Sequence, residues 1–168
     1  TISRTTSGGL DGDLFVAKLS ADGSWIWAVG AGGNGQDYAS SVAVDSFGDA
    51  YVTGTFESST VDLGNTTISR NGSSADVLIA KIDANGAWQW AKSIGSTQQE
   101  YAGGIEITDS GFVYVSGSYH NSISIGSSVL SSQGQRDVFL ANISGSGLWQ
   151  WAISAGGVDF DHSHDISV

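Results

Sequence analysis

Residues 76–93 read DVLIAKIDANGAWQWAKS, and this stretch decides how the chain folds. In its first seven residues, apolar side chains occupy both alternating positions, which predicts a strand buried on both faces. A turn-forming Asp-Ala-Asn-Gly follows, and then a Trp-x-Trp pair. The same pattern returns as DLFVAKLSADGSWIWAVG at 13–30 and as DVFLANISGSGLWQWAIS at 137–154. All six tryptophans of the chain belong to this one motif.

The motif returns at a nearly fixed spacing of 63 and then 61 residues, counted between the first tryptophans of successive pairs. A second block returns with it, since residues 36–56 match residues 99–119 and residues 160–168 begin a third copy. A period of this length indicates a repeat architecture in which each unit packs on its neighbours. The chain therefore holds about 2.7 repeats of 61–63 residues.

Each unit contains four short strands separated by turns rich in Gly, Asp and Asn, and no helical periodicity occurs. This pattern predicts an all-β fold made of β-propeller blades, each with four antiparallel strands. Small residues crowd YASSVAV and YAGGIEI, which we place innermost, where converging blades leave least room. AYVTGTF and its copy come second, the strand that begins with Asp comes third, and the Trp-x-Trp strand is outermost. Residues 57–75 and 120–136 are inserts that we expect to add a hairpin at the rim.

These strands define the predicted boundaries of a partial propeller. Residues 1–38 are the end of one blade, residues 39–101 and 102–159 are two blades, and residues 160–168 start another. A propeller needs roughly 4 to 8 blades to close. We therefore expect the 168 residues to be a segment of a longer chain or a protomer of an assembly, with neighbouring blades or other protomers as partners.

Composition restricts the classes of partner. The chain has 17 acidic and 6 basic residues and a formal net charge of -11, so it would repel phosphate backbones and anionic headgroups. No run approaches the roughly 18 apolar residues that a spanning helix needs. We predict no nucleic-acid binding and no direct membrane insertion. The absence of Cys excludes disulfides, a thiolate nucleophile and Cys-ligated metals.

Two blocks resemble the SBBP-type β-propeller repeat of bacteria and archaea: DLFVAKLSADGSWIWAVGAGG at 13–33 and SSVAVDSFGDAYVTGTF at 40–56. The marks of the resemblance are the Phe-Val-Ala-Lys strand, the Asp-Ser-x-Gly turn and the Tyr-Val-Thr-Gly strand. VAVDSFGDAYVTG is more loosely similar to the NHL propeller repeat. The resemblance implies a propeller fold and an extracellular or cell-surface location, and it implies no particular activity.

The Trp-x-Trp pairs have two interpretations. Residues i and i+2 of a strand share a face, so each pair is expected to point one way. Recurrence in every unit favours packing between blades, which predicts that the tryptophans are mostly buried. The alternative is a ladder of exposed indoles that stacks on sugar rings, a ligand-binding role. Both interpretations concern Trp25, Trp27, Trp88, Trp90, Trp149 and Trp151.

Acidic turns raise the question of Ca²⁺, which clustered carboxylate oxygens can bind. The densest groups are Asp11 with Asp13, Asp45 with Asp49, and the segment 159–165. None matches an EF-hand loop. We interpret the first two groups as turn residues, with Ca²⁺ binding as the alternative, and predict no other cofactor.

The segment DFDHSHD at 159–165 departs from its siblings, because histidines replace Tyr101 and Gly103 of the preceding unit. On a regular strand the two imidazoles share a face and can ligate a divalent metal together with a neighbouring carboxylate. The candidate metal ligands are Asp161, His162, His164 and Asp165.

No nucleophile motif, phosphate loop or zinc-protease helix occurs in the sequence. We therefore predict a non-enzymatic, secreted or cell-surface propeller segment that acts as a scaffold or as a binding module for glycan or protein partners. The alternative is part of a propeller hydrolase or lyase whose catalytic residues lie in blades not present here. Charged residues on the innermost strands would favour it, and these are Glu106, His164 and Asp165.

Overall fold

The computed structural model describes residues 12–168, and all regular structure in this range is β-strand. The strands are β1 (Leu14–Leu19), β2 (Trp25–Ala31), β3 (Asp37–Val44), β4 (Ala50–Phe56), β5 (Thr60–Asp62), β6 (Thr67–Ser69), β7 (Asp76–Ile82), β8 (Trp88–Ile94), β9 (Tyr101–Ile107), β10 (Phe112–Ile125), β11 (Ser128–Ser144) and β12 (Trp149–Ala155). No helix in this part of the chain is long and apolar enough to cross a membrane.

The strands form two four-stranded antiparallel sheets, ordered β3-β4-β7-β8 and β9-β10-β11-β12. Strands β1 and β2 form a separate antiparallel pair with the sequence of the outer half of a blade. The predicted fold class and strand order are therefore confirmed: these are blades of a partial propeller, with the Trp-x-Trp strand last in each sheet.

Strand β7 has the double-sided burial that its sequence predicts. Val77 and Ile79 face the second blade, whereas Leu78, Ala80 and Ile82 face the β1–β2 pair, and all five are fully buried. In β1, by contrast, Leu14 is buried but Phe15 is largely exposed. Phe15 points to the side where the described residues place no blade. Apolar residues on both faces thus require a blade on each side.

Turns between strands follow the chemistry of their residues. At Gly86, φ is 89°, a left-handed conformation that L side chains rarely adopt. The carboxylate of Asp83 accepts hydrogen bonds from the backbone N–H groups of Asn85 and Ala87 in the same turn, at 2.9 and 3.0 Å. Hairpins of this kind connect the third and fourth strands of every unit.

Both inserts form hairpins, as predicted, but by different routes. Strands β5 and β6 make a separate two-stranded sheet, whereas the second hairpin is a continuation of β10 and β11 past a register shift at His120. Each hairpin folds back over its own blade and fills the outer space between that blade and the preceding one. The apolar side chains that do this are Val61, Leu63 and Ile68 in the first hairpin and Ile123, Ile125 and Leu130 in the second.

The strands predicted to be innermost are those on which the blades approach most closely. Strand β9 packs against β3 and β4 of the preceding blade. On its other side, a Cβ at Gly103 would lie 2.8 Å from the hydroxyl oxygen of Ser163, and one at Gly104 would lie 2.6 Å from a carboxylate oxygen of Asp165. Small residues at these positions are therefore required by the approach of the next inner segment.

Substitution of Leu63 tests whether the insert is part of the core. Leu63 is fully buried in the first hairpin, so Leu63→Ala is expected to lower the free energy of unfolding by about 2–5 kcal/mol. Val129→Ala, in the second hairpin, is the control, because Val129 is 70% exposed and its truncation should change stability by less than about 0.5 kcal/mol. Urea denaturation measures both. Equal effects would contradict the packing role of the insert.

Candidate functional site

The two tryptophans of each pair lie on opposite faces of the blade, and the prediction that they share a face is wrong. Trp90 lies opposite Lys81, whereas Trp88 lies opposite Ile82, so the strand carries one extra residue between them. Residues directly opposite each other in an antiparallel pair share a face, and neighbours along a strand do not. This β-bulge therefore reverses the expected alternation.

The same register shift occurs in the other two units, where Trp25 lies opposite Leu19 and Trp149 lies opposite Ile143. The core clusters agree with it, because Trp88 packs in the cluster before its blade and Trp90 in the cluster after it. One Trp-x-Trp pair therefore serves two blade junctions. This division removes the one-sided indole ladder on which the sugar-stacking interpretation was based.

The second tryptophan of a pair contacts the following blade. Trp27 Nε1–H donates to the carbonyl of Ala84 at 3.0 Å, and Trp90 Nε1–H donates to the carbonyl of Gly145 at 3.0 Å. Ala84 and Gly145 occupy the same place in the turn between the third and fourth strands. A buried indole needs such a partner for its N–H. We call this repeated contact the tryptophan latch.

Glycine in the receiving turn allows the indole to approach. A Cβ at Gly86 would lie 2.9 Å from Cγ of Trp27, and a Cβ at Gly147 would lie 3.0 Å from Cδ2 of Trp90. The turn glycine thus supplies both the left-handed conformation of the hairpin and the flat surface on which the ring rests.

The first tryptophan of a pair packs towards the preceding blade, next to the insert of its own blade. Trp88 borders the cluster that contains β5 and β6, and Trp149 packs against Gly126 at the tip of the second hairpin. Trp25 is 66% exposed.

The expectation that the six tryptophans are mostly buried is therefore wrong for Trp25 and has to be corrected for Trp151. Trp27, Trp88, Trp90 and Trp149 are half-buried, whereas Trp25 and Trp151 are exposed, Trp151 to 38%. The physical reason is that each indole depends on a neighbouring blade or insert. The two exposed indoles are those for which the described residues supply no such neighbour.

A buried carboxylate lies at the corner where each blade begins, and sequence analysis missed it. The carboxylate of Asp37 accepts hydrogen bonds from the Ser58 hydroxyl at 2.6 Å and from the Gly33 N–H at 3.1 Å. Its counterpart Glu100 accepts from the hydroxyl and the N–H of Ser96, both at 2.8 Å. The available signal was an acid directly before Tyr38 and again before Tyr101. These bonds fix the loop that carries the chain between blades.

A second carboxylate begins the third strand of each unit. Asp76 is fully buried and accepts a hydrogen bond from Asn71 N–H at 2.7 Å, and a side chain at Gly95 would overlap it. Burial raises the pKa of Asp76 to about 6. Burial also raises the pKa of Glu100 to about 7, with a smaller contribution from the negative charge of Asp76.

Comparison with known protein families agrees with this geometry. Residues 26–55 match the family model of the SBBP beta-propeller repeat. The chain therefore carries an SBBP-type β-propeller repeat. The match runs from the outermost strand β2 of one unit to the second strand β4 of the next, so the SBBP repeat unit spans a blade junction. No curated protein matches the chain.

In the acidic turn at 45–49, a carboxylate accepts hydrogen bonds from backbone N–H groups of the turn itself. The carboxylate of Asp45 accepts hydrogen bonds from the N–H groups of Phe47 and Asp49, both at 2.9 Å. Asp49 forms an ion pair with Lys81 at 2.8 Å. These contacts support the interpretation of Asp45 and Asp49 as turn residues. Asp11 lies outside the described residues, and Asp13 is the counterpart of the buried Asp76.

The four predicted metal ligands are not gathered around one point. His162 and His164 stack with ring centroids 6.4 Å apart. Asp161 accepts the N–H of Gly157 at 2.8 Å, and Asp165 accepts the N–H of Ile166 at 2.9 Å. Within residues 12–168, no three His, Asp or Glu side chains are placed to hold a metal ion. The neighbour that His162 does have is the guanidinium of Arg136, a cation.

The tryptophan latch can be tested by Trp90→Phe, which keeps most of the ring but removes the indole N–H. The loss of this bond to Gly145 is expected to lower the free energy of unfolding by about 0.5–1.5 kcal/mol. Trp151→Phe is the matched control, because Trp151 occupies the same position but has no receiving turn among the described residues. Its effect in urea denaturation should be below about 0.5 kcal/mol. Equal losses would argue against the latch.

The buried carboxylates predict a pH dependence. Because the pKa of Glu100 rises from 4.5 to about 7 on folding, the unfolded chain releases this proton at lower pH than the folded chain. Stability should therefore fall as the pH rises from about 4.5 to about 7. Glu100→Gln is expected to remove a part of that fall, on the order of 1–3 kcal/mol.

The measurement is urea denaturation of wild type and Glu100→Gln at several pH values between 4 and 8. Glu57→Gln, at an exposed site, is the control and should follow the wild-type profile. If the Glu100→Gln profile ran parallel to that of wild type, Glu100 would not be the titrating group.

Proposed function

We propose that this chain is a non-enzymatic scaffold module of a secreted or cell-surface protein, built to be extended by further blades through the tryptophan latch. The observation that carries the proposal is the repetition of the latch at two junctions with the same donor, acceptor type and distance. Blades joined in this way form a stack of repeats in which each unit depends on its neighbours.

Trp151 supports the proposal because its ring contacts a tyrosine of its own blade, as the ring of Trp90 does. The Trp90 ring contacts Tyr51 with centroids 6.1 Å apart, and Trp151 contacts the equivalent Tyr114 at 5.9 Å. Trp90 also bonds to the next turn, whereas Trp151 is exposed. Its orientation is thus established by its own blade before any neighbour binds, which lowers the entropy lost on docking.

The opposite end of the described chain offers the receiving surface. Ala21 and Gly23 are the counterparts of Ala84 and Gly86, which receive Trp27. No atom of the described residues lies within 4 Å of a Cβ at Gly23. Donor and acceptor surfaces of this kind fit head to tail. The partner we propose is a further blade of the same kind, in the same polypeptide or in a second copy.

Two features favour a scaffold over the alternatives. The division of each Trp pair between two faces favours blade packing over a sugar-stacking platform. The recurring carboxylates Asp37, Asp45 and Glu100 accept hydrogen bonds from nearby backbone N–H groups, which favours a role in positioning loops over acid–base chemistry. The secreted or cell-surface setting is the one implied by the resemblance to SBBP repeats.

Sedimentation velocity over a range of protein concentrations tests the proposal. The wild-type chain is expected to associate head to tail as concentration rises. Trp151→Ser removes the exposed indole of the latch and should weaken association by about 2 kcal/mol, or about thirtyfold. Phe47→Ser is the control, because Phe47 is exposed in a turn outside the latch.

A wild-type chain that stays monomeric, or a Trp151→Ser variant that associates as strongly as wild type, would contradict the proposal. Loss of association in both variants would also contradict it, since the latch does not involve Phe47. The folded state of each variant is checked by near-UV circular dichroism, which reports the packing of the remaining tryptophans.

A further inference from the structure

The junction between the second blade and the segment 160–168 differs chemically from the junction before it. Arg136 stands where the first blade has Ala75, His162 where the second blade has Tyr101, and His164 where it has Gly103. These three replacements lie on two chain segments that meet in space, since Nη2 of Arg136 is 2.9 Å from Nδ1 of His162. Changes on both sides of one contact suggest a specialised site.

Arg136 is a buried cation without a counter-ion. The residue is 7% exposed, and its Nε–H is buried with no hydrogen-bond partner. The ion pair that occurs within residues 12–168 joins Lys81 and Asp49, so no described carboxylate reaches the guanidinium. A buried charge that is neither paired nor fully hydrogen-bonded is costly. Arg136 thus forms no ion pair within the described residues, although the chain has a net charge of -11.

Arg70 provides the internal comparison. It lies at the end of the first insert, and its side chain donates to the carbonyl of Glu57 at 2.6 Å. The positive charge of Arg70 also acts on Asp76, since it lowers the pKa of that carboxyl against the larger effect of burial. Like Arg136, Arg70 has a buried Nε–H with no hydrogen-bond partner, but it acts on a carboxylate of its own blade.

Aromatic rings hold the guanidinium in place. Its central carbon lies 4.6 Å from the ring centroid of Tyr101 and 5.4 Å from that of Phe160. Such contacts stabilise the cation and restrict its orientation, while Nη2 contacts both ring nitrogens of His162 and Nη1 makes no hydrogen bond within the described residues. A guanidinium with a fixed plane and donors left at Nη1 suits an oxygen of a carboxylate or a sulfate.

A cavity of about 330 Å³ opens beside this group, lined by Arg136, His162, His164, Ser118 and Ser163 as well as Tyr101 and Ala102. The volume lies within the range typical of small-molecule sites. The hydroxyl of Thr55, the counterpart of Ser118, accepts the N–H of Ala102 at 3.0 Å. Within the described residues the Ser118 hydroxyl makes no such bond, so it faces the cavity as a further donor.

We propose that this cavity is a binding site for an oxyanion group, a carboxylate or a sulfate carried by a small ligand such as an acidic monosaccharide. Arg136 supplies the charge and the Nη1 donors, and the Ser118 hydroxyl and the imidazole of His164 add polar contacts around the anion. The nearby Asp161 is engaged by the N–H of Gly157 and is not directed at the guanidinium. The site is independent of the latch, because Trp151 is not among the residues that line it.

Thermal unfolding and isothermal titration calorimetry test the site with three probes: sodium glucuronate, sodium sulfate and uncharged glucose. A ligand that binds the folded state raises the Tm in a saturable manner. Glucuronate, sulfate or both are expected to do so, and glucose is not. Because sulfate also stabilises proteins by exclusion from their surface, each probe is compared between variants at equal concentration.

Arg136→Met keeps the length of the side chain and removes the charge, so it should abolish saturable binding while leaving the fold intact. Arg70→Met is the matched control and should bind as wild type does. His164→Gln, at the lining of the cavity, is the second variant and should weaken binding severalfold if Arg136→Met does not fold.

A response to glucuronate alone identifies a carboxylate site, a response to sulfate alone identifies a sulfate site, and either supports the proposal. The proposal is overturned if glucose binds as well as the anions, if neither anion binds, or if Arg136→Met or His164→Gln binds as wild type does. Trp151→Ser is expected to retain binding, which separates this site from the scaffold function.

Discussion

Every blade of this protein is apolar on both faces, and the rest of the structure depends on that constraint. Strand β7 buries Leu78 against the preceding unit and Ile79 against the following one. A sheet of this kind is stable only between two neighbours, because a face left in water exposes contiguous apolar surface. The inserts, the tryptophans and the corner carboxylates all serve the junctions that this constraint creates.

Neighbouring blades converge at their inner strands, so their outer strands lie further apart. The outermost strand of each blade fills this space with side chains on both of its faces. The β-bulge between the paired tryptophans sends Trp88 towards the insert of its own blade and Trp90 towards the next turn. One extra residue thus allows a single strand to close two junctions. The glycine of the receiving turn completes the contact, because a side chain there would collide with the indole.

The corner carboxylates are buried where backbone N–H groups and serine hydroxyls donate hydrogen bonds to them. Asp37 and Glu100 accept hydrogen bonds from the loops that they fix, and burial raises the pKa of both carboxyl groups. Arg136 has no such compensation from a carboxylate. A repeat scaffold tolerates a departure of this kind at one junction because its neighbours keep the regular contacts, so a ligand site can be added to one blade without loss of the array.

The sequence by itself determined the repeat, the strand order and the two-sided burial of the third strand, because these follow from local periodicity and from turn residues such as Gly86. It also located both insert hairpins. It did not determine the faces of the tryptophans, since a period of two assumes a regular ladder and the bulge arises only when Trp88 and Trp90 pair with β7.

The carboxylates of Asp76 and Glu100 were missed because their burial depends on loops from other parts of the blade. His162 was interpreted as a metal ligand because its sequence neighbours are acids. Only the tertiary structure placed Arg136, 26 residues away in the chain, against its ring. The local sequence pattern determines which strands form and in what order. Contacts between segments distant in sequence determine which charged and polar side chains lie next to each other.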